Sequence, residues 1–207
     1  MIFGGSPHAH RLRMLLLLFT AGVCSPAALA AEAGDSTAWD IKRLMQDLAQ
    51  VKTAKGRFVE RKHLAILNAP LQFSGTLIYI APSRLEKHTL EPRQESLLLE
   101  REELTIESKE RNRRRTVMLQ DYPVIWAFVE SIRSTLAGDL TTLKRFYEVA
   151  LDGDERKWRL ALKPSDPKMR AVVSEIRISG DRSWINAIEI METGGDRSVM
   201  TITRDDP

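Results

Sequence analysis

The stretch "GTLIYIAPSRLEKHTLEP", Gly75 to Pro92, decides the fold. It opens as a strand that is apolar on both faces. Thr76, Ile78 and Ile80 project one way, and Leu77, Tyr79 and Ala81 the other. Pro82 interrupts the strand, and a more polar run follows. An antiparallel sheet with one face in water alternates apolar and polar side chains. A strand that does not alternate needs cover on its second face.

The neighbouring segments supply candidates for that cover. Strands are expected near 55–66, 71–81, 84–90, 94–100, 103–108 and 115–120, with turn chemistry at Asn68-Ala69-Pro70, Pro82 and Pro92. Before them, Ile41, Leu44, Met45, Leu48 and Val51 recur at helical spacing, with Thr37 as the expected cap and Asp40 three residues later. After them comes "YPVIWAFVESIRSTLAG". Pro123 suits a first helical turn, Ile125, Phe128, Val129, Ile132 and Leu136 form an apolar stripe, and Gly138 suits the end. The C-terminal third reads as hairpins that turn at Asp152-Gly153-Asp154, Gly180-Asp181 and Gly194-Gly195. The pattern predicts an α+β domain: about eleven antiparallel strands in one sheet, with helices laid against it. A closed barrel is the alternative, but two amphipathic helices need a face on which to dock.

Residues 1–30 read as a secretory signal peptide. Arg11 and Arg13 flank the apolar run Met14–Val23, and Ala28-Leu29-Ala30 is a small-x-small cleavage site. A membrane anchor is the rival reading, but the run is short for a span. Cleavage near Ala30 leaves 31–207 as one domain, takes away Cys24 and lowers the net charge from +3 to +1. A domain of that length can bury enough core to need no disulfide.

Catalytic signals are poor. Residues 31–207 contain no cysteine, and His63 and His88 stand alone in charged strands, where solvent-exposed sheet histidines are the simpler reading. No G-x-S-x-G, Walker or G-x-G-x-x-G motif is present. The carboxylates of "EREELTIESKER" and "SEIRISGDRS" alternate with bases, as on a solvated sheet face. These observations predict a binding protein with no cofactor or metal, and not an enzyme. One charge cluster stands out, "KERNRRRT", with Arg111, Arg113, Arg114 and Arg115. It reads either as a solvated hairpin tip or as a patch for an anionic partner such as lipid headgroups. Nucleic acid is an unsuitable partner for a secreted chain. Apolar residues in excess of a one-sided sheet are either plain core or the lining of a cavity between sheet and helices.

The segments "VKTAKGRFVERKH", "FSGTLIYIAPSRLEKHTLEP" and "ESLLLEREELTIES" resemble the LolA-like family of periplasmic outer-membrane lipoprotein carriers, in layout over nearly all of 31–207. The resemblance implies an unclosed half-barrel whose concave face is covered by helices, with acyl chains held between them. The residues it points to are Leu77, Tyr79, Ala81, Leu85, Leu97 and Leu99 on the sheet, and Trp126, Phe128 and Ile132 on the helix. It further implies a monomeric periplasmic carrier of a lipoprotein or another outer-membrane lipid, with an inner-membrane donor and an outer-membrane acceptor. A sensor or interaction module on the same scaffold, binding an envelope protein, is the second implication. Two positions depart from the family pattern: Ala81 stands where the carrier has an arginine before the proline, and Lys87 where an aromatic is common.

Overall fold

The structure is a computed structural model that describes residues 39–205, without the side chains of Pro123 and Val124. The expected signal peptide and Thr37 lie outside the described residues. Helix α1, Ile41–Ala49, is capped by Asp40, whose carboxylate accepts from the Arg43 amide at 2.8 Å. The acid expected inside the first turn is therefore itself the cap, one residue ahead of the helix.

Six strands follow: β1 Thr53–His63, β2 Leu71–Ile80, β3 Arg84–Glu91, β4 Glu95–Glu100, β5 Glu103–Ser108 and β6 Arg113–Met118. A short 3-10 turn, Leu119–Asp121, leads into α2, Pro123–Ala137. Gly138 ends α2 in the left-handed region, with φ 69. A Cβ there would lie 2.1 Å from the Met45 carbonyl oxygen, so the glycine also admits α1.

The strand that the first C-terminal hairpin predicts from "LKRFYEVALDG" begins only at Tyr147, because "LKRF" belongs to a third helix, α3, Leu140–Phe146. The reason is local. Asp139 accepts from the Thr142 amide at 2.9 Å and starts a new helix immediately after the glycine stop. Then come β7 Tyr147–Asp154, β8 Lys157–Pro164, the single turn α4 Pro167–Arg170, β9 Val173–Asp181, β10 Trp184–Glu192 and β11 Arg197–Arg204.

All eleven strands form one antiparallel sheet in the order β6-β5-β4-β3-β2-β1-β11-β10-β9-β8-β7. It consists of two meanders joined where β1 meets β11. β6 and β7 are the two edges and do not pair, so the half-barrel stays open. The segment between them must travel from one edge to the other, and this crossing is made by α2 and α3.

The larger core lies on the β7–β10 half, where Leu44 and Leu48 of α1 and Leu143 of α3 are buried with Trp158, Leu160, Leu162, Ile176 and Ile178. Tyr147 ties α2 to it by donating from its hydroxyl to the Ala127 carbonyl at 2.9 Å. A smaller cluster, Leu99, Leu104 and Leu119, forms on the other half.

Candidate ligand cavity

Register explains which side chains share the concave face. One row across β1 to β5 is Ala54, Tyr79, Leu85, Leu99 and Leu104, and the next is Gly56, Leu77, Lys87, Leu97 and Ile106. On the other side of the β1–β11 seam, Glu60 faces Met200 and then Ile188, while Lys62 faces Ser198 and then Ile190. Across from these rows lies α2. Between sheet and helix is a cavity of about 430 Å³, within the ~300–1,000 Å³ usual for sites that hold one small ligand. Ile125, Phe128, Val129, Ile132 and Leu136 of α2 all line it. They are the stripe that helical spacing predicts.

The lining is largely apolar, and one buried charged cluster stands within it. Glu60 is 4% exposed on the inner face. Lys87 Nζ donates to its Oε2 at 2.5 Å, Ser198 Oγ donates to its Oε1 at 2.7 Å, and Lys62 Nζ lies 3.6 Å from Oε1. Burial alone would push the Glu60 carboxyl up. The Lys87 ammonium, the hydrogen bonds from Lys87 and Ser198, and the charge of Lys62 outweigh it and hold Glu60 below the usual carboxylate range.

Lys87 is on β3 and Glu60 on β1, so their bond crosses over β2. Gly75 leaves the crossing open. It pairs with Phe58, and the Lys87 ammonium sits 4.9 Å from the centre of the Phe58 ring. A Cβ on Gly75 would fall 1.9 Å from the His88 carbonyl oxygen, because a bulge brings β3 close. The register steps from Ser74–Glu91 to Gly75–Thr89 and leaves Leu90 unpaired.

The second polar feature is Tyr79, 4% exposed, whose hydroxyl is buried without a hydrogen-bond partner among the described residues. Desolvation raises its pKa, so the group is a protonated donor at neutral pH.

Residues 33–203 match the family of LolA-like outer membrane lipoprotein carrier proteins. The chain belongs to this family. Among solved structures, a LolA superfamily protein from Nitrosomonas europaea is 10% identical, with a TM-score of 0.44 over 82% of this chain and 96% of that one. The MucA/MucB complex of Pseudomonas aeruginosa gives 14% identity and a TM-score of 0.48 over 80% of this chain and 56% of the other. An outer membrane lipoprotein-sorting protein domain from Vibrio parahaemolyticus gives 8% identity and 0.41 over 79% and 88%. No curated protein matches the chain.

In this LolA-like protein, seven of the nine residues expected at the cavity line it: Leu77, Tyr79, Leu85, Leu97, Leu99, Phe128 and Ile132. Two do not. Ala81 lies past the end of β2, its amide donating to the Lys52 carbonyl at 2.9 Å. Trp126 packs instead against the Leu99–Leu104–Leu119 cluster, edge-on to Phe146 with ring centres 5.5 Å apart. Trp126 follows Ile125 directly, and one helical step turns it off the stripe.

Sequence reading overlooked the contribution of β10 and β11, where Ile188, Ile190, Met200 and Ile202 line the cavity. Their signal was the two-residue alternation of Ile188 and Ile190 in "INAIEIMET".

The arginines are only partly at a hairpin tip. Asn112 closes the turn with φ 45, so pairing resumes at once and Arg113, Arg114 and Arg115 lie within β6. All four arginines of the cluster are exposed and outside the cavity lining. Three arginines on an unpaired edge also discourage strand addition. His63 is exposed, and His88 Nε2 lies 2.8 Å from Glu86 Oε2. Among the described residues, no three His, Cys, Asp or Glu side chains converge as a metal site. No described helix is long and apolar enough to cross a membrane.

Proposed function

We propose that this protein is a periplasmic carrier, exported by residues 1–30, that shields an acyl chain of a lipoprotein or another outer-membrane lipid between half-barrel and helices. The observation that carries the reading is the cavity of about 430 Å³, walled by the α2 stripe on one side and the inner sheet face on the other. Each methylene transferred there from water contributes about 0.8 kcal/mol. A chain of modest length is thereby held against solvent. α2 walls the cavity along its length, so its displacement widens the way in for loading and unloading. The family relationship favours an inner-membrane donor and an outer-membrane acceptor as partners.

The test is titration with a fluorescent fatty acid, with native mass spectrometry of the protein purified from periplasm. Wild type should bind and should carry acyl lipid. Ile132→Glu places a charge on the cavity wall and should lower affinity at least about tenfold. Trp126→Phe should leave binding unchanged, because Trp126 does not line the cavity. Absence of acyl binding by correctly folded wild type sinks the reading. Capture of a stable membrane-protein partner in its place would support the sensor alternative.

A further inference from the structure

We propose that the cavity recognises the head of its ligand as well as the chain: Tyr79 and Lys87 hold an anionic oxygen head, a carboxylate or a phosphate, at the end of the acyl chain. This rests on the carrier reading above and specifies its cargo.

Three observations converge. First, Tyr79 presents a buried hydroxyl donor with no partner among the described residues, on the cavity wall. A buried donor left unpaired costs free energy, and a ligand oxygen placed there removes the penalty. Second, Lys87 is its diagonal neighbour on the same face, because Tyr79 pairs with Leu85 two residues away. Its ammonium has three donors, of which Glu60 takes one. Third, the local charge is positive. Lys87 and Lys62 meet the single carboxylate of Glu60, which Ser198 also satisfies.

Other charged residues at the cavity are engaged elsewhere: Lys55 with Asp205, Glu86 with Arg84, Arg197 with Glu189, and Asp196 with the Ala65 amide. Glu192 lies at the end of β10, beside the turn into β11. The groups that meet at Glu60 count two cations to one carboxylate, and Tyr79 and Lys87 both line the cavity with hydrogen-bonding capacity to spare. An acid group on an acyl chain fits that chemistry. A bare hydrocarbon end leaves the Tyr79 donor unsatisfied.

The experiment is displacement of a bound fluorescent fatty acid by three ligands with the same sixteen-carbon chain: palmitate, hexadecyl phosphate and methyl palmitate. Wild type should bind at least one of the two acids about tenfold or more tighter than the methyl ester. The acid with the larger margin identifies the head as carboxylate or phosphate.

Tyr79→Phe should lower affinity for that acid roughly tenfold without lowering the unfolding temperature of the empty protein, since it deletes a donor that is unpaired there. The double variant Glu60→Gln/Lys87→Met removes the Lys87 ammonium without stranding the Glu60 carboxylate, and it should weaken the preference for the acid over the ester. Equal binding of acids and ester by wild type overturns the proposal, and so does an acid affinity that Tyr79→Phe leaves unchanged. Failure of all three ligands to bind overturns the carrier reading itself, and this inference with it.

Discussion

Replacing Lys87 by Met leaves the Glu60 carboxylate on the inner face with only Ser198 and the more distant Lys62. Removing one partner of a buried pair costs about 3–5 kcal/mol. Here the Lys87 side chain is 26% exposed and Ser198 keeps its bond, so about 2–3 kcal/mol is the better expectation. In a domain of this size that lowers the unfolding temperature by roughly 4–12 °C. Glu60→Gln should cost only about 1 kcal/mol, because Lys87 can turn its ammonium toward water. The double variant should lie within about 1 kcal/mol of wild type, since the pair is replaced by neutral groups of similar size.

Urea unfolding of the four proteins gives the coupling energy, expected at about 2–4 kcal/mol at pH 7. The pH dependence adds a second reading. The folded pKa of Glu60 is depressed, so its stabilisation is complete above the unfolded value of about 4.3 and is lost as pH falls through the lower folded value. The penalty of Lys87→Met should therefore shrink in acid. A coupling below about 0.5 kcal/mol at pH 7, or one that does not diminish once acid has protonated the Glu60 carboxyl, would refute the account of this pair.

Gly75→Ala should destabilise by about 3 kcal/mol or more, because the new Cβ would lie 1.9 Å from the His88 carbonyl oxygen and backbone must give way. Thermal melting followed by circular dichroism checks this, and an unchanged midpoint would show that the bulge relaxes freely. Asp40→Ala should cost about 1 kcal/mol through loss of the α1 cap, while Asp40→Asn should cost little. Equal loss in both variants would point to charge and not to capping.

Much of this architecture is legible in local pattern. Hairpins announced by Gly153 and Gly195 and the five-residue stripe on α2 follow from periodicity and turn chemistry alone. The stripe is also the better guide to the cavity: the family resemblance points to Trp126, but its helical phase sends it elsewhere. What local pattern does not contain is the meeting of non-adjacent strands. Glu60 and Lys87 looked like ordinary strand charges because their bond crosses an intervening strand at a glycine. Likewise, Tyr79 reads as one more aromatic until the cavity around its hydroxyl is known. The pairing of β1 with β11, which brings Met200 and Ile188 to the cavity, also escapes any window of neighbouring residues.

That seam between β1 and β11 constrains how the protein comes into being. The two meanders can each form from local hairpins, which close quickly. The wall on which Glu60 faces Met200 requires strands from opposite ends of the described chain, and contacts so distant in sequence form slowly. A polypeptide emerging from its N-terminus has no complete binding chamber until β11 has arrived. Until then Leu77, Leu97 and their neighbours are exposed, at the stage when premature association is most dangerous. Assembly of the sheet thus sets the earliest moment at which the cavity exists to receive the proposed cargo.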